Sequence, residues 1–312
     1  MRAGHLLALL LLAFTAPILA APILVSQAHA CSVERRAVLP IQFRAGHPLV
    51  TALLDGQPAT FVFDTGAQRS LLTPAAVARL HLKLDPWVGT TVVGIGGIEQ
   101  HRNAEVASLV LGGVALRQDT MLRGLSVSVG AIPVSQMGGA PVDGILGRDV
   151  LAAFDLSLDF AHRRVTLYRV RGCTGRFLPW RGPYAAVAAM AGYRAPLGIP
   201  VRTDGHVLRA LIDTGSTTDL LTASGMARLG LTEAGLAGEP VGQVRGIGPR
   251  RVRVRVYRLG WLAVGASVTQ GVAVVAAPVI LTPILDLLLG VDWLDGHRVW
   301  LSYATGQVFV AG

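Results

Sequence analysis

Two aspartates stand in matching surroundings, in Phe61-Val62-Phe63-Asp64-Thr65-Gly66-Ala67 and in Leu211-Ile212-Asp213-Thr214-Gly215-Ser216. Each Asp-Thr-Gly follows a short apolar run and leads into Leu-Leu-Thr, at Leu71-Leu72-Thr73 and Leu220-Leu221-Thr222. A single such triplet arises by chance in roughly one chain in fifteen of this length. Two with the same flanks do not. Carboxylates on equivalent loops of two related halves suit acid–base hydrolysis, because a close pair shares one proton and so offers an acid and a base together. Asp64 and Asp213 are therefore the candidate catalytic pair. Thr65, Gly66, Thr214, Gly215 and Ser216 are their candidate supports.

An internal repeat positions them. The alignment that superposes the triplets also superposes Asp55-Gly56 on Asp204-Gly205 without a gap, and Ala78-Arg79-Leu80 on Ala227-Arg228-Leu229. Asp-Gly between alternating apolar runs predicts a β-hairpin ahead of each aspartate. One or two helical turns are expected after it, at Pro74–Leu80 and Ala223–Leu229. Glycines at Gly94-Ile95-Gly96 and Gly246-Ile247-Gly248 mark two hairpin tips, candidate flaps over a substrate, since glycine lets backbone approach a ligand closely. The last shared block runs from Asp143 to Leu151 and from Asp286 to Leu294, each copy leading into a final strand. Its aspartates Asp143, Asp149, Asp286 and Asp292 read as structural, with Asp149 and Asp292 expected to cap a short helix after the glycine. Both halves are thus β-rich with brief helices. Residues 172–195, punctuated by Gly, Pro and Arg, have no counterpart in the repeat and read as a linker between 31–171 and 196–312.

Composition sets outer limits. At 312 residues, 52% apolar and 15% charged, the chain is long enough for a large core and too apolar to be disordered. Arg2, an apolar stretch from Leu6 to Val25 and Ala28-His29-Ala30 read residues 1–30 as a secretory signal. An uncut membrane anchor and lipidation of Cys31 are the alternatives. The later greasy run, Ala277 to Leu294, is broken by Pro278, Pro283, Asp286 and Asp292 and reads as buried strand.

Export to an oxidising compartment makes Cys31 and Cys173 a candidate disulfide, with two free thiols equally open. Neither Cys-x-x-Cys nor His-x-x-x-His spacing occurs, so no metal is expected. The net charge of +9 comes almost wholly from arginine. Alternation puts Arg251, Arg253 and Arg255 on one strand face and valines on the other. That face is either merely solvated or a surface for anionic envelope components or acidic substrates. Nucleic acid is not expected, because no aromatics interleave these arginines. Trp180, Trp261, Trp293 and Trp300 read as packing residues.

Taken together, the paired Asp-Thr-Gly-[Ala/Ser] motifs, the apolar-apolar-Gly blocks Ile145-Leu146-Gly147 and Leu288-Leu289-Gly290, and Gly147-Arg148-Asp149 resemble the bacterial retropepsin-like aspartic proteases with both lobes in one chain. The resemblance covers the chain from about Ala45 onward. It implies an all-β, bilobal acid-protease fold: two β-barrel-like lobes related by a pseudo-twofold axis, with the active-site cleft between them. It also implies that Thr65 and Thr214 bond across the lobe interface, that apolar-apolar-Gly strands brace the aspartate loops, and that no cofactor is needed. A monomer acting on peptide or protein substrates follows from having both lobes present. The chain departs from the family at Gln68 and Thr217, where an acid is usual, so Arg148 lacks that partner and is expected on a backbone carbonyl. Ser216 follows the second triplet where Ala67 follows the first. A Ser216 hydroxyl on the carboxylate would make Asp213 the more acidic of the pair.

The function implied is a secreted or periplasmic aspartic endopeptidase. The alternatives are a feebly active envelope protein that binds peptides in the same cleft, and a membrane-anchored processing enzyme.

Overall fold

A computed structural model describes residues 30–116, 125–133, 139–190, 197–282 and 284–311. Residues 1–29, read above as a signal or anchor, lie outside the described residues, as do 191–196 of the expected linker. Three sheets account for the architecture. A ten-stranded sheet holds the first repeat, a seven-stranded sheet holds the second, and a six-stranded sheet draws strands from both. The fold is all-β and bilobal.

The Asp-Gly turns form as the sequence implies. Asp55 and Gly56 take φ of 48° and 79°, and Asp204 and Gly205 take 43° and 81°. Consecutive positive φ values make the tight turn whose twist matches paired strands. These turns close the hairpins His47–Leu54/Gln57–Phe63 and Gly198–Thr203/His206–Ile212, and the second strand of each runs directly into the aspartate. Short helices follow at Pro74–Arg79 and Ala223–Arg228, capped by Thr73 and Thr222 on the amides of Ala76 and Gly225.

The six-stranded sheet fastens the halves together. Its centre is the antiparallel contact of Asp155–Asp159 with Arg298–Ser302, where Leu156 faces Leu301 and Leu158 faces Val299. All four are buried. Burying such side chains stabilises by about 1.5–3 kcal/mol each, so the sheet is a hydrophobic clamp as well as a ladder. The segment expected to be a linker also builds it. Ala185–Ala188 adds an edge strand beside Gln307–Ala311, and Trp180 and Tyr184 pack edge-on near Trp300 and Phe309. At the opposite edge Ser32–Pro40 pairs with Arg164–Arg171. A disulfide between Cys31 and Cys173 anchors the start of that strand.

The run from Ala277 to Leu294 corrects the strand expectation. Among its described residues only Leu287–Leu289 is strand, and Val291–Leu294 is helix. Pro278 cannot donate to a ladder, so the first part of the run leaves the sheet as loop. No helix among the described residues is long and apolar enough to cross a membrane.

Candidate active site

Each aspartate sits on a loop held from behind by its apolar-apolar-Gly strand. Gly144–Leu146 lies parallel to Gln57–Phe63, and Leu287–Leu289 lies parallel to His206–Ile212. The Asp64 amide donates to the Leu146 carbonyl at 3.1 Å, and the Asp213 amide to that of Leu289 at 2.9 Å. Glycine ends each bracing strand for steric reasons. A Cβ on Gly147 would stand 2.6 Å from the Arg69 carbonyl carbon, and one on Gly290 would overlap the Thr218 carbonyl.

The loops then meet. The Thr65 amide donates to Thr214 Oγ1 at 3.0 Å and the Thr214 amide to Thr65 Oγ1 at 3.2 Å. In turn Thr65 Oγ1 donates to the Ile212 carbonyl at 2.7 Å, and Thr214 Oγ1 to the Phe63 carbonyl at 2.5 Å. Both threonines are buried. This four-bond lock fixes the spacing of the two loops. Gly66 and Gly215 complete it, because a Cβ on either would overlap the carboxylate of the opposite aspartate.

The carboxyl groups of Asp64 and Asp213 interact directly, each lying against the glycine of the other's loop. Within its own loop, Asp64 Oδ1 accepts the amides of Gly66 and Ala67 at 2.9 and 2.8 Å. Asp213 Oδ1 accepts those of Gly215 and Ser216 at 2.9 and 3.2 Å. Burial raises the pKa of both above the ordinary carboxylate value, and the Asp64 charge pushes Asp213 further up. Asp64 has the closer amides and the positive field of Arg148, so it is the member that ionises first.

That order reverses the expectation drawn from Ser216. Its hydroxyl donates to the Thr218 carbonyl at 2.7 Å and leaves the carboxylate alone. The capping expectation is corrected too. The helices Arg148–Leu151 and Val291–Leu294 begin at Gly147 and Gly290 with no side-chain cap. Asp149 instead accepts the amide and hydroxyl of Ser70 at 2.9 and 2.7 Å, pinning the loop that follows Asp64. Among the described residues Arg148 finds no backbone carbonyl. It is buried, its Nε has no partner, and its ionisable neighbours are the Tyr303 phenol, which burial keeps neutral, and the carboxyls of Asp149 and Asp64.

The glycine tips come together over the site. The Gly96 amide donates to the Ile247 carbonyl at 2.9 Å, and the Arg250 amide to the Gly96 carbonyl at 3.1 Å. A Cβ on Gly96 would stand 2.7 Å from the Gly248 carbonyl oxygen, and one on Gly94 would overlap that of Ile247. A Cβ on Gly246 would stand 3.0 Å from Ile95 Cβ. Each tip isoleucine crosses to the other lobe. Ile95 packs against the buried cluster that includes Leu211, Leu220, Val254 and Leu288, while Ile247 packs against the one that includes Leu49, Val62, Leu71 and Ile145.

Two residues near the site escape a motif search. His47 is kept towards its neutral form by burial and lies against the Gly215 backbone of the other lobe. No spacing announces it. Asp219 is buried at the position equivalent to Ser70, and the repeat alignment does place it there. Among the described residues no His, Cys, Asp or Glu group is arranged to hold a metal.

Comparison with known families agrees with this geometry. Residues 50–150 and 199–293, one match per repeat, fit the aspartyl protease family. The chain belongs to the aspartyl protease family. Membership supports a protease function in general terms, and each matched segment contains one aspartate loop with its bracing strand. No curated protein matches the protease closely enough to stand as a relative.

Proposed function

We propose that this protease is an endopeptidase exported from the cytoplasm, and that Asp64 and Asp213 together perform the hydrolysis. The observation that carries the reading is the pair itself: two buried, directly interacting carboxyl groups on loops locked by reciprocal threonine bonds. Asp64, the more readily ionised, takes a proton from a water molecule, and that oxygen attacks the scissile carbonyl carbon. Asp213, still protonated, donates to the carbonyl oxygen as charge develops there. Collapse of the tetrahedral intermediate breaks the C–N bond. The proton held by Asp64 passes to the departing nitrogen, giving a carboxylic acid and an amine. The extended substrate would lie as a strand beneath the flap tips.

Export is supported by the Cys31–Cys173 disulfide, which suits an oxidising compartment, and by the signal-like character of residues 1–30. A Cys31 sulfur committed to that bond argues against lipidation there. Both repeats in one chain support a monomer.

The test is digestion of an unstructured peptide library from pH 3 to 8, beside an Asp64→Asn, Asp213→Asn double variant. Cleavage by the wild type alone is expected. A folded wild type that cleaves no more than the double variant would leave the peptide-binding role as the better reading.

A further inference from the structure

Beside the flap tips lies a cavity of about 710 Å³. Its walls are the N-lobe flap turn at Val93–Ile98, the other flap's strand at Arg250–Arg255, and the loop around Pro278–Ile280. The polar lining is one-sided, with Arg250, Arg251, Arg253 and Arg255 against a single acid, Glu233. Arg255 is tied down, donating to the carbonyls of Ala237 and Glu239 at 3.0 and 2.7 Å. Arg250, Arg251 and Arg253 are exposed and make no side-chain hydrogen bond or ion pair among the described residues. Their charges are uncommitted.

The first repeat lacks this feature. Aligning Ile95 with Ile247 sets Glu99 opposite Arg251 and His101 opposite Arg253. There Glu99 accepts from His101 Nε2 at 2.8 Å, so the equivalent face satisfies itself. The asymmetry lies within the cleft's own covering elements. Ile95 and Val254 line the cavity and also pack in the buried apolar cluster that holds Leu211, two residues before Asp213, which sets the cavity one packing layer from the second aspartate loop.

We propose that this cavity is a substrate subsite selecting acidic side chains on one side of the scissile bond, with Arg250, Arg251 and Arg253 as its specificity-determining residues. This rests on the endopeptidase reading above. An extended substrate advances about 3.3 Å per residue, so residues a few positions from the cleaved bond reach past the flap tips. Guanidinium groups bind carboxylates through paired hydrogen bonds. Val93, Ile98 and Ile280, exposed in the same lining, offer apolar contact for the methylenes of a glutamate. The recess favours a peptide over a flat anionic membrane, which cannot follow cations into a concave site.

Three matched peptides test the subsite, carrying Glu, Gln or Lys two to four residues to either side of a cleaved bond. The expected kcat/KM for Glu exceeds that for Lys by roughly three- to tenfold on one side only, and the ratio shrinks with added salt. In Arg251→Glu, Arg253→Glu the ratio should invert, and in the milder Arg251→Gln, Arg253→Gln it should approach one. Equal cleavage of all three peptides overturns the subsite while leaving the peptidase intact. Should no peptide be cleaved, fluorescence anisotropy with the Asp64→Asn, Asp213→Asn protein reads binding directly, and equal affinity for Glu and Lys peptides again overturns it. Charge reversal that abolishes binding to phosphatidylglycerol vesicles, with peptide preference unchanged, would make these arginines a membrane surface and also refute the subsite.

Discussion

Asp219 Oδ1 accepts the Gly290 amide at 2.8 Å, in the place where the first repeat sets the Ser70 hydroxyl on the Gly147 amide at 3.0 Å. The exchange of serine for aspartate has an electrostatic consequence. In the first repeat Ser70 donates to Asp149, so one acid is served by a hydroxyl. In the second, Asp219 and Asp292 put two acids side by side.

Burial, with the Asp292 charge added, pushes the Asp219 pKa to about 7 from its ordinary 3.8. The folded protein therefore keeps a proton that the unfolded chain releases. Stability from this group is full below pH 3.8 and is lost as pH rises through about 7. Asp219→Asn should remove the penalty, raising the unfolding free energy by on the order of a few kcal/mol at pH 8 and by nothing at pH 3.5. Thermal unfolding of the two proteins across pH measures the difference directly. Parallel curves at all pH values would show that Asp219 does not titrate in this range.

Much of this architecture is legible in the sequence, because it is written twice. The repeat alignment yields the hairpins and the helices after each aspartate, and the family resemblance adds the bracing strands and the threonine lock. What it hides is where side chains turn once the backbone is set. Two backbone amides serve Asp213 Oδ1, while the Ser216 hydroxyl turns to the Thr218 carbonyl, a choice that residue type alone does not reveal. Asp149 follows Gly147 closely enough to suggest a cap, yet it stands inside the helix and reaches across to Ser70. The strand at Ala185–Ala188 had no repeat partner to betray it, and its pairing with the chain's last strand is a purely tertiary event.

The threonine lock predicts a coupled loss of stability and rate. Thr65→Val would orphan the Thr214 amide and the Ile212 carbonyl, and Thr214→Val the Thr65 amide and the Phe63 carbonyl. Two buried polar groups left unpaired should cost roughly 2–4 kcal/mol in either variant. The midpoint of urea unfolding should fall accordingly. Since the lock sets the carboxylate spacing, kcat should drop about 10- to 100-fold while KM changes little.

Swaps at the residue after each triplet should be silent in the pH profile. Activity requires Asp64 ionised and Asp213 protonated, so the rate rises on the acid side as Asp64 loses its proton and falls as Asp213 does. The Ser216 hydroxyl touches neither carboxylate. Ser216→Ala should leave both limbs of the kcat/KM profile in place to within about 0.3 pH units. The same holds for Ala67→Ser, whose hydroxyl would meet the equivalent carbonyl of its own loop. A displaced acid limb in either variant would mean that the hydroxyl turns to the carboxylate during catalysis.

Arg148 should show the opposite behaviour. Its charge is buried behind Asp64, where it favours the ionised carboxylate. Arg148→Met keeps much of the apolar volume and removes the cation. Without that field Asp64 should hold its proton to higher pH, so the acid limb of the profile should move upward by about half a unit to one unit. The alkaline limb should move far less, because burial, and after it the Asp64 charge, holds the proton on Asp213. Stability should change little or even increase, since the variant also removes a buried Nε that has no partner. The two readouts separate the possible roles. A shifted acid limb at unchanged stability marks Arg148 as a positioning residue for the charge of the dyad. Loss of stability with unmoved limbs would mean that it serves only to hold the helix after Gly147.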